Sequence, residues 1–162
     1  MHVFGVLYRF LCIAALAFWM GGFTFYALVV IPIGNHLLGS IEQGLVTQQV
    51  TRWMNLAGVA ALLILFPGAR RNRWLGGSWL VMAAALAVLF WLHPRLDALI
   101  DGSQRIVADD SRFYRWHQAY LAVVTVQWSA AIVYLWGIIQ PRRNMGRNGP
   151  RPYDMREKNM AC

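Results

Sequence analysis

The chain has 162 residues, of which 58% are hydrophobic and 14% charged, with a formal net charge of +8. Average soluble domains carry roughly 25% charged residues, and a soluble chain this short could not hide so much apolar surface. That excludes an ordinary soluble domain, and the eight tryptophans suit a membrane protein, because indole rings concentrate at the lipid–water interface.

The first apolar block runs from about Phe10 to Ile33 and contains FWMGGFTFYALVVIPIGNHL. A helix crosses the hydrocarbon with about 20 mostly apolar residues, each rising 1.5 Å. A secretory signal has an apolar run of only about 7–15 residues before small residues at a cleavage site. Here the run continues through Phe23, Phe25 and Tyr26, so the spacing predicts a retained membrane helix. Cys12, Ala15, Trp19, Gly22 and Tyr26 fall on one stripe of it. Gly21 and Gly22 read as helix-packing residues, because small residues let backbones approach closely in lipid. Pro32 is expected to kink or end the helix. His36 follows just beyond.

The next stretch, GSIEQGLVTQQVTRW, is apolar at helical spacing at Ile41, Leu45, Val46, Val50 and Trp53. It predicts an amphipathic helix running into a second span at about Gln48 to Phe66. Ser40 and Gln43 are spaced for a capping box at its start. Gln48, Arg52 and Asn55 form a short polar stripe inside that span. An ionisable residue there is a functional candidate by default. The structural alternative is that Arg52 snorkels to the interface or pairs with Asp97 or Asp109.

A third span is expected from about Trp74 to Leu92, followed by the longest connection, HPRLDALIDGSQRIVADDSRFYRWH. Leu96, Leu99 and Ile100 suggest a short interfacial helix after Pro94. Asp109, Asp110 and Ser111 offer capping oxygens for the fourth span, which runs from about Trp116 to Ile139. On that span His117, Tyr120, Val124, Gln127 and Ala131 share a face. Gln127 lies mid-span, so its face must turn inward, toward an interhelical hydrogen bond worth about 0.6 kcal/mol. Residues 141–162 are basic, rich in Pro and Gly and poor in aliphatics, which predicts a disordered tail. Cys12 lies inside a span and Cys162 ends the chain, so neither a disulfide nor a prenylation motif is expected.

The expected fold is therefore all-α: an integral membrane four-helix bundle in residues 1–140 and a tail, since lipid offers no partner to unpaired backbone groups. Four spans put both termini and the Arg70–Arg73 turn on one side. That side holds 10 of the 15 basic residues against Asp154 and Glu157 alone. Arg52, Arg95, Arg105, Arg112 and Arg115 on the other side are balanced by Glu42, Asp97, Asp101, Asp109 and Asp110. Basic loops stay in the cytoplasm, so both termini are expected there, in a bacterial inner membrane. The tail would meet anionic headgroups at about 1 kcal/mol per basic residue. It lacks the interleaved aromatics and the recognisable fold of a nucleic-acid binder.

His36, His93 and His117 are all expected at the outer ends of spans. Three neutral imidazoles at one depth suit copper, zinc or iron, with loop aspartates as further ligands or acceptors. Two of them facing each other could hold a b-type haem. None has a second histidine at ligand spacing, and an interfacial imidazole needs no ligand. With Arg52 they could instead hold an anionic headgroup or small anion.

FWMGGFTFYALVVIP resembles the first helix of membrane domains related to the copper-resistance D protein, with its Trp-x-Gly-Gly element and aromatic–aliphatic run ending in proline. VTQQVTRWMNLAGVAAL is similar to the segment that follows there. FYRWHQAYL is similar to a Phe-x-x-x-His element opening the last helix of a related four-helix family, linked in animals to platinum-drug resistance. The three elements cover about a quarter of the chain. The resemblance implies a four-helix membrane domain tied to metal or drug tolerance, and it identifies no catalytic residue. The Met-rich or multi-His segment of a copper transporter is missing. No phosphate loop, zinc-protease helix, nucleophile elbow or dinucleotide fingerprint occurs. The expected role is non-enzymatic, an accessory or packing module that works with lipid and other membrane subunits. Copper-like metal handling and haem electron transfer are the alternatives.

Overall fold

A computed structural model describes residues 2–70, 72–101, 106–107 and 110–140. The first span is one long rod: α1 (His2–Phe25), a π-helical turn (Tyr26–Val30) and α2 (Ile31–Leu38). Pro32 does not end it. A proline ring clashes with the carbonyl four residues back and offers that carbonyl no N–H. Here that residue, Leu28, lies in the widened turn, so the helix expands by one turn instead of breaking.

Gly39 alone joins α2 to α3 (Ser40–Ala69), with φ +92° and ψ 163°. Only glycine visits that region readily, and it reverses the chain in one residue. The expected amphipathic segment and second span form a single helix. The capping box does not form. The Gln43 N–H takes the Gly39 carbonyl at 3.1 Å, and the Gln43 side chain is buried toward the first rod.

Asn72 caps α4 (Arg73–Asp97), its Oδ1 accepting from the Trp74 N–H at 3.0 Å. The separate interfacial helix expected after Pro94 is absent, because α4 runs through Pro94 to Asp97. Arg95 closes this last turn, donating to the Trp91 carbonyl at 3.1 Å and lying 3.3 Å from the Trp91 ring centroid. Two short strands follow, β1 (Ile100–Asp101) and β2 (Ile106–Val107). They pair antiparallel, Ile100 opposite Val107 and Asp101 opposite Ile106. Helix α5 (Asp110–Ile139) completes the bundle. Asp109 and the tail 141–162 lie outside the described residues, as do the cap and disorder expected there.

All four rods are long and apolar enough to cross a membrane. Helix α4 packs most extensively on α5 and next on α3, while α1 packs on α3 and hardly touches α5. Large apolar side chains cover the outside, among them Phe4, Phe18, Leu28 and Leu63. A monomer in water does not expose apolar surface on that scale. Exposed tryptophans mark both ends, Trp74 and Trp136 near the termini and Trp53 and Trp91 at the distal end, as expected of two interfaces.

The main core lies toward the terminal end. Cys12, Leu16 and Trp19 of α1 meet Leu62 and Leu65 of α3, Met82 and Leu86 of α4, and Ala131 and Tyr134 of α5. Pro67 interrupts α3 there, and tyrosines repair the damage. The Tyr8 hydroxyl accepts from the Gly68 N–H at 2.8 Å and donates to the Ile64 carbonyl at 3.1 Å. It is thus spliced into the helical link that would join those two groups directly. Tyr134 of α5 donates to the Leu65 carbonyl at 2.7 Å. A Cβ on Gly68 would lie 2.8 Å from the Tyr134 hydroxyl and 3.1 Å from that of Tyr8, so the clasp requires glycine.

Candidate functional site

Chemistry-bearing side chains gather in the distal half, above a smaller core of Leu89, Leu92 and Tyr120. Helix α4 contributes His93 and Asp97, one turn apart, with Nδ1 of His93 2.8 Å from Oδ2 of Asp97. The other ring nitrogen, Nε2, lies 3.1 Å from the Gln48 carbonyl of α3. A carbonyl inside a helix has a second lone pair free for such a contact. His93 therefore ties α4 to α3, and both of its nitrogens face acceptors. A neutral ring carries one N–H and satisfies one of them; a doubly protonated ring satisfies both.

Two further residues complete the cluster. Asn55 of α3 and Tyr120 of α5 are 4% and 8% exposed. They are neighbours, and Asp97 lies close enough to act on the Tyr120 hydroxyl through its charge. Asn55 acts on the Tyr120 hydroxyl as a hydrogen-bonding group, but the contact between them falls short of good hydrogen-bond geometry. A buried polar group left unpaired costs about 1–3 kcal/mol, so this pair stands out among otherwise satisfied groups.

The three histidines do not converge. His36 is exposed in the last turn of α2. His117 is exposed and stacks on Phe113 of its own helix, ring centroids 5.7 Å apart. The nitrogens of His93 are engaged as described. Among the described residues no group of three His, Cys, Asp or Glu side chains could hold a metal ion. Arg52 is exposed, and its expected partner Asp97 pairs with His93 instead.

The remaining polar candidates tie helices together. Tyr26 donates to the Thr47 hydroxyl at 3.0 Å and accepts from the Gln43 amide at 3.3 Å, so the π-helical turn sits at a polar junction with α3. The Gln43 amide lies against Gly34, where a Cβ would collide with it. Gln127 donates to the Met82 carbonyl at 3.3 Å, the inward hydrogen bond its mid-span position predicts. It also lines a shallow groove between α1 and α5, walled by Trp19, Phe23 and Trp128. Trp19 packs on α3 at Gly58, where a Cβ would lie 2.9 Å from its ring. The glycine pair divides. Gly22 faces Met54, with a Cβ contact of 3.5 Å, but Gly21 is exposed with nothing within 4 Å and is not a packing residue. Composition gave no sign of Gly34, Gly58 or Gly68, because the need for glycine at each comes from a neighbouring element.

No family model, curated protein or solved structure matches the chain.

Proposed function

We propose that this chain is a non-enzymatic integral membrane module, an accessory or packing subunit in a bacterial inner membrane with both termini in the cytoplasm. One observation carries the reading: several polar side chains of the spans tie one helix to another. Tyr8, Tyr26, Trp79, Gln127 and Tyr134 each bond a backbone or side-chain group of another helix. Such residues hold a bundle together, and none is left presenting a nucleophile–base pair. The basic excess on the terminal side supports the cytoplasmic orientation and contact of the tail with anionic headgroups. The weak seating of α1 on α5 leaves a side open to another membrane subunit. The metal and haem alternatives draw no support from the positions of His36, His93 and His117.

The test is purification in mild detergent, followed by mass spectrometry of whatever co-purifies, metal analysis and an absorption spectrum. A stoichiometric membrane partner, with no bound metal and no Soret band, is the expected outcome. A bound redox cofactor or a turnover activity would overturn the reading. Orientation has its own check, since a periplasm-dependent reporter fused after Cys162 should be inactive.

A further inference from the structure

We infer that His93 is a proton-operated latch between α4 and α3. With both ring nitrogens protonated it ties the two helices, and loss of one proton releases α3 while the ring stays on Asp97. Nδ1 lies 2.8 Å from Asp97 Oδ2, and Nε2 lies 3.1 Å from the Gln48 carbonyl oxygen. An ionised carboxylate and a carbonyl only accept hydrogen bonds, so two N–H groups are needed, and the imidazolium ring alone has them. Which proton leaves decides what the device does. A hydrogen bond to an ionised acceptor is shorter and roughly twice as strong as a neutral one, and the two distances rank the same way. The neutral ring therefore keeps its proton on Nδ1, and Nε2 turns a lone pair toward the Gln48 oxygen. The tie within α4 survives and the tie across the helices is lost.

Helix α3 is placed to respond. The distal core of Leu89, Leu92 and Tyr120 comes from α4 and α5, and the buried hydrophobic side chains of α3 begin only at Ala61. The first turns of α3 are held instead to the first rod, through Tyr26, Gln43 and Thr47. Release at Gln48 thus frees the corner of α2 and α3 from α4 as one piece. Among the described residues, α4 itself brings Asp97 to the latch, while Arg95 is turned onto the Trp91 ring. On α3, Arg52 is one turn from Gln48 and exposed, so its charge is screened by solvent. On α5, Tyr120 lies near enough to feel the Asp97 charge, and His117 stacks on Phe113. A phenol stays neutral through the range in which imidazole gains and loses its charge, about pH 5 to 8. The latch therefore closes toward the acid end of that range and opens toward the alkaline end. With the termini in the cytoplasm, as proposed above, it faces the periplasm, but the switch itself does not rest on that orientation.

The experiment uses the full chain, labelled with ¹⁵N-histidine, in phospholipid nanodiscs between about pH 5 and 8. The His93 ring signals are assigned by elimination, with His2→Gln, His36→Gln and His117→Gln removing the other three, so they are read in a chain that keeps the latch. At the acid end the ¹⁵N shifts should show protons on both ring nitrogens. At the alkaline end Nδ1 should keep its proton and Nε2 should have lost it. Hydrogen exchange is followed over the same range and corrected for the intrinsic pH dependence of amide exchange. Protection in residues 45–55 of α3 should fall about tenfold as Nε2 loses its proton, the loss expected of one charge-assisted hydrogen bond, with no change around Pro67. His93→Phe, which cannot be protonated, should lack that pH dependence. A neutral ring that keeps its proton on Nε2 would overturn the proposal. So would a ring that never carries two protons in this range, or α3 protection that does not follow the ring. The ring signals decide the matter even where His93→Phe does not fold.

Discussion

At the terminal end of the bundle, the hydroxyls of Tyr8 and Tyr134 close on carbonyls of α3 that surround a proline. At the distal end, the Asn55 amide and the Tyr120 hydroxyl face each other in a contact that falls short of good hydrogen-bond geometry. Both ends bury polar atoms in a bilayer-spanning bundle, but they do so in different company. The terminal end has the larger core, drawn from all four rods, and its tyrosines repair defects in a neighbouring helix. The distal core is built on α4 and α5, and α3 reaches it through polar contacts such as His93 to the Gln48 carbonyl. A satisfied buried hydroxyl is part of the scaffold. A hydroxyl held only by a loose contact, as at Tyr120, contributes less to that scaffold.

The contrast can be broken most forcefully at Gly68. Gly68→Ala should displace both clasping hydroxyls, and overpacking of this kind costs about 1–3 kcal/mol. The lipid-facing Gly21→Ala meets nothing within 4 Å and should be neutral or slightly stabilising, by up to about 1 kcal/mol from helix propensity. Unfolding of the two variants by steric trapping in bicelles compares them directly. Equal losses would mean that the clasp contributes nothing special.

His93→Leu is next in size. It removes the tie to the Gln48 carbonyl and leaves the half-buried Asp97 without its partner, for a loss of about 1–2 kcal/mol. The damage should be local. Hydrogen exchange should quicken in residues 45–55 of α3 and remain unchanged around Pro67. Uniform acceleration along α3 would show that the two ends are not independent.

The smallest effect is the most discriminating. Tyr134→Phe loses a 2.7 Å bond to the Leu65 carbonyl and should cost about 1 kcal/mol. Tyr120→Phe makes the same chemical change at a slightly more exposed site, and it loses only the loose contact with Asn55. Its cost should stay below about 0.5 kcal/mol, because no well-formed hydrogen bond is lost. Matching losses at the two tyrosines would remove the distinction between the two contacts.

Much of the scaffold was legible in the residue pattern. Four apolar runs of sufficient length imply four helices, because in lipid each backbone group must be satisfied within its own segment. Of the α5 face expected to turn inward, Tyr120, Gln127 and Ala131 are buried and Val124 is partly so, while His117 at its outer end is exposed; a mid-span amide facing lipid would be costly. The amphipathic run from Ser40 was equally readable as the start of a membrane helix.

What sequence by itself determined, then, was the number of helical rods long and apolar enough to span a membrane and much of which faces turn inward, because local periodicity and bilayer thickness are enough to decide these. Tertiary structure alone decided the partners. Pro32 and Pro94 read as breaks, and only the packed rods show the helices continuing through them. Gly21 and Gly22 are indistinguishable as letters, yet a rotation of about 100° per residue turns one toward Met54 and the other toward lipid. His36, His93 and His117 lie at comparable positions along their helices, but depth along an axis says nothing about azimuth or about which acceptor is nearer. The Asp97 carboxylate one turn away and the Gln48 carbonyl across the interface took His93, and packing brought Asn55 against Tyr120, which no spacing rule connects.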